Sequence, residues 1–153
     1  MAKLIWTKDL NTGIDVIDSR HKRIVKYIND LHDAHRLNDR KAIGEVIEAT
    51  IDYTLSHFGF EETLMEDAGY PYVRPHKKIH ELFIRRISEY QQRFHNDEDI
   101  TDELYQLLGR WLFNHIRHDD AGYVKAVKSN MNKLTSDKSD GGWLSRSIRS
   151  FFR

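Results

Sequence analysis

The 153-residue chain contains no cysteine. Disulfides, thiolate ligands and cysteine-held iron–sulfur clusters are therefore excluded, and the composition suits a reducing compartment. Only two prolines occur, Pro71 and Pro75, so little interrupts long helices. Excess charge of either sign is missing too: 24 Lys and Arg face 24 Asp and Glu. No global field then favours nucleic acid, and none is expected as a partner. No apolar run approaches the roughly 18 residues of a membrane span. The opening Met1-Ala2-Lys3-Leu4-Ile5-Trp6 holds no apolar stretch of signal-peptide length. A cytoplasmic location is the expectation. The length supports one domain with its own core. Against this ordinary background, nine histidines is a high count and asks for a reason.

Turn signals divide the chain. Asn11-Thr12-Gly13 falls in an extended N-terminal arm over residues 1–17. Asp18 or Ser19 can cap a first helix that runs to about Leu37. Asn38-Asp39 breaks the pattern, and Asp39 can cap a second helix from about Arg40 to Asp67. Ala68-Gly69-Tyr70-Pro71 stops it. A third helix begins between Pro71 and Pro75 and reaches about His95, where Asn96-Asp97-Glu98-Asp99 is a polar break. The fourth runs from about Ile100 to His118, and a short helical piece follows to about Lys133. The expected fold is all-α: an up-down-up-down four-helix bundle with an N-terminal extended arm and a short C-terminal helical extension. Residues 1–133 form the expected bundle domain and 134–153 a hinge and tail.

Each helix carries an apolar stripe at alternating three- and four-residue spacing, which keeps one face toward a core. The first stripe is His21, Ile24, Ile28 and Leu31, with Val25 alongside. The second is Ile43, Ile47, Thr50, Thr54, His57, Glu61 and Leu64. The third is Val73, His76, His80, Phe83, Ile87, Tyr90 and Phe94, and the fourth is Leu104, Leu108, Trp111 and His115. Every helix thus places histidine on its buried face, and one places a glutamate there.

Burying five imidazoles with a carboxylate is costly unless each is satisfied. A metal satisfies all of them at once, because neutral imidazole and ionised carboxylate are both ligands. His57 with Glu61, and His76 with His80, are four apart and share a helix face. His115 and Asp120 are five apart, about 140° around an ideal helix at about 100° per residue. They converge only if the helix ends or bends between them, and Gly122 allows such an end. Nitrogen-rich ligands disfavour calcium and magnesium, and so many ligands exceed what one zinc takes. Ferritin-like di-iron proteins use Glu-x-x-His pairs, and no histidine here has glutamate three residues before it.

Four segments carry the further signal: the early His21-x-x-Ile24, His57-Phe58-x-x-Glu61-Glu62, His76-x-x-x-His80-x-x-Phe83, and Trp111-Leu112-x-x-His115-Ile116-x-x-x-Asp120-x-x-Tyr123. Together they resemble the hemerythrin family, most of all its bacterial single-domain form. The resemblance spans about residues 1–133. Myohemerythrin, of that family, is itself a reference example of the up-down-up-down bundle. The resemblance implies two iron ions with an oxo or hydroxo bridge and dioxygen as ligand. His76, His80 and His115 would hold one iron, His21 and His57 the other, with Glu61 and Asp120 bridging. One position would stay open on the iron held by His21 and His57. Ile24, Phe58, Trp111 and Leu112 look like the family's oxygen pocket. Asp119 competes locally for the bridge, but the His-x-x-x-x-Asp and Asp-x-x-Tyr spacings both select Asp120. His32, His35, His95 and His118 read as solvated or packing residues, with His118 close enough to His115 to act behind it. Glu62 reads as surface and Trp6 as a packing anchor.

The tail departs from this pattern. Thr135 to Gly142 reads as a flexible hinge. On a wheel of about 100° per residue, Trp143, Leu144, Ile148, Phe151 and Phe152 fill one half, and Arg146, Arg149 and Arg153 fall on the other. Such a basic amphipathic segment suits weak docking to an anionic membrane surface or a partner groove, or folding back on its own bundle. The expected function is reversible dioxygen binding by a non-enzymatic monomer, for carriage, storage or delivery to an oxygen-consuming partner. Peripheral association at the inner membrane face is part of that expectation. The alternatives are an oxygen or redox sensor and a di-iron peroxide-handling enzyme.

Overall fold

The computed structural model describes residues 3–136, with side chains described to residue 133. The hinge and the basic segment over 143–153 lie outside the described residues. The elements are α1 (Asp15–Arg36), α2 (Arg40–Asp67), α3 (Val73–His95), α4 (Thr101–Asn114) and α5 (Ala121–Ser136). A 3-10 turn at Lys8–Leu10 precedes α1, and a π-helical turn over His115–Asp120 joins α4 to α5. No strand occurs among the described residues. Helix α1 packs on α2 and α4, and α2 packs on α3 and α5, giving a four-helix bundle with a fifth helix continuing from the fourth. No helix among the described residues is long and apolar enough to cross a membrane.

The local signals account for most boundaries. Asp39 caps α2, its Oδ1 accepting the Ala42 N–H at 3.2 Å. Asn38, Gly69 and Asp97 take positive φ where α1, α2 and α3 end. One boundary differs from expectation: α1 begins at Asp15, with no side-chain cap at Ile14. Asp18 instead sits in the first turn and holds the arm. It accepts the Thr12 N–H and hydroxyl, both at 2.8 Å, and the Gly13 N–H at 3.1 Å. Trp6 anchors the arm as expected of a packing residue, against the core and with its Nε1 donating to Asn11.

The second difference is larger. Helix α4 does not stop near Gly122; it runs through the π turn into α5. Gly122 is helical, and a Cβ there would stand 2.7 Å from the Tyr70 hydroxyl. The glycine permits close approach rather than an end. A π turn absorbs one residue more than an α turn. Counted with one residue removed, Tyr123 and Val127 return to within about 20° of His115 at about 100° per residue. Both are fully buried.

The stripes lie inside as expected, with Val73 and Trp111 half-buried at their edges. The apolar interior falls into two clusters. One holds Ile24, Ile28, Phe58, Phe83 and Leu112; the other holds Ile17, Phe60, Leu64, Tyr123 and Val127. Along α1, α2 and the α4–α5 continuation, the histidines and carboxylates sit between members of the two. A polar layer therefore crosses a dry core, where each unsatisfied group is costly.

Candidate metal centre

Seven side chains from all the bundle's helices meet in this layer. His21 comes from α1, His57 and Glu61 from α2, His76 and His80 from α3, and His115 and Asp120 from the two ends of the π turn. All are at most 4% exposed. In α2 and α3 the four-residue spacing does the alignment. In the last pair the i→i+5 pattern of a π turn brings residues five apart nearly into register. This is the bend that an α-helical wheel leaves out.

The donor atoms form two groups sharing Glu61. Glu61, His76, His80, His115 and Asp120 each offer one atom within 4.8 Å of the others, and His21, His57 and Glu61 do the same. The carboxylates divide their oxygens between the two sides. Asp120 Oδ2 lies 3.1 Å from His21 Nε2, while Oδ1 lies 3.2 Å from His76 Nε2 and 3.1 Å from His115 Nε2. Glu61 Oε1 lies 2.6 Å from His57 Nε2 and 3.9 Å from His21 Nε2, while Oε2 lies 4.0 Å from His76 Nε2. His80 Nε2 and His115 Nε2 approach to 3.0 Å.

These atoms are close without being satisfied. Both ring nitrogens of His21, Nε2 of His57 and His76, and both oxygens of Glu61 and Asp120 lack hydrogen-bond geometry to any partner. Burial pushes the His21 imidazole down, but the neighbouring Asp120 and Glu61 carboxylates override this and lift it to about 9. Burial likewise opposes His115, and the Asp120 and Asp119 carboxylates lift it to about 10. Burial lowers His57 despite Glu61. Burial pushes both the Glu61 and Asp120 carboxyls up, and the Asp120 charge pushes Glu61 further, but the imidazoles around them win and hold both below the usual range. Without a cation, then, the anions keep the extra proton on His21 and His115. A metal cation supplies the same compensation and occupies the unsatisfied nitrogens and oxygens together. The donor set fits a pair of transition-metal ions.

Several groups stand behind the ligand candidates. Asp119 accepts from His115 Nδ1 at 2.8 Å, so its carboxylate faces the back of that ring while Asp120 faces the cluster. Their local competition is thereby divided by geometry. Glu62 is half-buried rather than a plain surface residue, with Oε2 3.5 Å from His80 Nδ1. Metal-ligating histidines characteristically pass their second N–H to such acceptors, which fixes the tautomer. Arg20, missed in the sequence, is buried with its Nε 3.3 Å from His57 Nδ1. Only its place beside His21 could have drawn attention to it. Tyr123 is fully buried, and burial plus the Glu61 and Asp120 charges push its phenol well above the ordinary value, so it stays protonated. His118 and His95 are exposed, so His118 does not stand behind His115. His32 is buried and packs against Tyr105.

The four expected pocket residues line the layer's apolar edge. Ile24, Phe58 and Leu112 are buried and Trp111 is half-buried. Phe58 stacks on His80 at 3.8 Å and stands 6.4 Å from His57. Trp111 stacks on His115 at 4.4 Å and on Phe83 at 3.6 Å. The aromatic pair thus makes its closest ring contacts on the three-imidazole side, not beside His21 and His57.

A histidine-rich, carboxylate-linked cluster in the core of a four-helix bundle defines a class of bundle metalloproteins. Residues 12–127 match the Hemerythrin HHE cation binding domain. A bacteriohemerythrin of Pseudomonas aeruginosa (strain LESB58) is 67% identical over 152 residues, 99% of each chain. A bacteriohemerythrin of Methylococcus capsulatus (strain Bath) is 34% identical over 80% of this chain and 95% of its own. The crystal structure of a wild-type hemerythrin superposes with a TM-score of 0.78 at 31% identity, covering 82% of this chain and 98% of that one. The chain belongs to the hemerythrin family. Membership supports oxygen binding at a non-heme di-iron site.

Proposed function

We propose that this chain binds dioxygen reversibly at two irons, for carriage, storage or delivery to an oxygen-consuming partner. His76, His80 and His115 would hold one ion, His21 and His57 the other, and Glu61 and Asp120 would serve both. The observation that carries this reading is the division of both carboxylates' oxygens between the two imidazole groups. When bound, the ion pair supplies the electron-donating metal chemistry that dioxygen binding requires. The protein's part is asymmetry and dryness. Three imidazoles on one side and two on the other leave the His21/His57 side one donor short. Ile24, Phe58, Trp111 and Leu112 keep water from the layer, which limits irreversible oxidation. Iron-loaded protein, reduced without air, is expected to develop a visible charge-transfer band on admitting oxygen and to lose it when oxygen is removed. Immediate and irreversible oxidation would overturn the reading.

In the same reading residues 1–133 are the working unit, cytoplasmic and monomeric, and the basic aromatic segment 143–153 docks weakly to an anionic inner-membrane face. Its support is the segregation of Arg146, Arg149 and Arg153 from Trp143, Ile148 and Phe152 in the sequence. Full-length protein is expected to co-sediment with vesicles rich in anionic lipid, and a chain ending at Lys133 to stay in solution. Equal sedimentation of the two sinks the docking idea.

A further inference from the structure

Three of the five imidazoles have a charged group behind Nδ1, and the signs differ. His115 faces the Asp119 carboxylate at 2.8 Å and His80 the Glu62 carboxylate at 3.5 Å. His57 faces the Arg20 guanidinium, whose Nε donates to Nδ1 at 3.3 Å. Arg20 is only 4% exposed. Its Nη2 donates to the Ser56 hydroxyl at 3.2 Å, and its guanidinium lies 4.7 Å from the centre of the Phe60 ring and 5.3 Å from that of Tyr53. The cation is thus built into the wall behind a ligand candidate.

Sign matters because of the tautomer. A carboxylate accepts the Nδ1 proton, leaves the Nε2 lone pair for a cation and strengthens that nitrogen as a donor. A guanidinium carries five N–H donors and no acceptor. Opposite Arg20, a neutral His57 keeps its proton on Nε2, the atom 2.6 Å from Glu61 Oε1. Offering Nε2 to a metal requires that proton to leave for Nδ1, where it meets the Arg20 N–H head on. His115 and His80 face no such conflict.

We propose that Arg20 is a positioning residue that makes the His21/His57 side the weaker, later-filled metal position, while Asp119 and Glu62 strengthen the side of His76, His80 and His115. The proposal rests on the two-metal reading above. It implies that the ion on the donor-poor side is also the more readily lost.

The test is a titration of metal-free, full-length protein with Co2+, followed by calorimetry and by visible ligand-field absorption. Wild type is expected to fill in two steps, the first tighter. Arg20→Met and Arg20→Gln both remove the charge, and a glutamine amide can turn its oxygen to the Nδ1 proton. Each is expected to tighten the second step about tenfold and leave the first nearly unchanged. Asp119→Asn is expected to do the opposite, weakening the first step by about tenfold or more. Arg20→Lys, which keeps the charge, keeps the wild-type order. A merely structural role for Arg20 would loosen the whole pocket and weaken both steps. A second step unchanged or weakened in Arg20→Gln overturns the proposal, as does equal affinity of both positions in wild type. Should Arg20→Met lose its helical circular dichroism, Arg20→Gln carries the test alone. Failure of wild type to bind two ions would instead overturn the two-metal reading.

Discussion

Asp120→Ala is expected to leave the purified protein with little iron, whereas Asp119→Ala keeps its iron but holds it less tightly. The two neighbours look interchangeable in sequence and are not in space. Asp120 is fully buried, and its two oxygens reach imidazoles from α1, α3 and the start of the π turn. In the proposed two-iron reading, its removal would take one donor from each metal position and much of the negative charge that would compensate two cations. Asp119 reaches only the back of His115. Losing such a support costs about 10–100-fold in metal affinity, without removing a ligand. Iron per chain, measured by elemental analysis after purification and again after dialysis against a chelator, separates the two. Near-complete iron in Asp120→Ala, or its loss in Asp119→Ala alone, would reverse the assignment.

That contrast also marks where the sequence stops being readable. His21, His57, Glu61, His76, His80 and His115 each continue an apolar stripe, and an α-helical wheel suffices to turn them inward. Asp120 defeats the wheel because the wheel assumes about 100° per residue throughout. A π turn has no proline or glycine signature; it adds one residue within an otherwise helical run. The trace it does leave is downstream. On an unbroken α-helix Tyr123 and Val127 would sit about 80° and 120° from His115, yet both are fully buried. A stripe that loses phase by one residue and resumes is the readable sign of such a turn. Gly122, taken alone, pointed to a helix end because its contact with Tyr70 is not written in the local sequence.

Two of the three groups behind the ligands were illegible for a different reason. Asp119 pairs with His115 four residues away, a spacing visible in any helix. Glu62 meets His80 across 18 residues and Arg20 meets His57 across 37, so only the packing of α1 and α3 on α2 brings them together. A charged residue next to a stripe usually points to solvent. Arg20 turns inward because the Tyr53 and Phe60 rings and the Ser56 hydroxyl together replace its water.

Removing iron is expected to cost the bundle far more stability than removing any one surface contact. The bound ions act only on the folded state, since the seven donors are scattered over 100 residues of sequence. A ligand at about a thousand times its dissociation constant adds about 4 kcal/mol. For a domain of this size each kcal/mol moves the melting midpoint by about 2–4 °C, so the midpoint should fall by roughly 8–16 °C. The loss is thermodynamic rather than architectural. Helices α1–α5 keep their apolar clusters on either side of the polar layer, so the metal-free chain should retain most of its helical circular dichroism at room temperature. Thermal scans of iron-loaded and chelator-treated protein at one concentration check this. A midpoint unmoved by chelation would mean that the buried protons on His21 and His115 satisfy the layer as well as two cations do. The many unsatisfied oxygens and nitrogens of the layer argue that they do not.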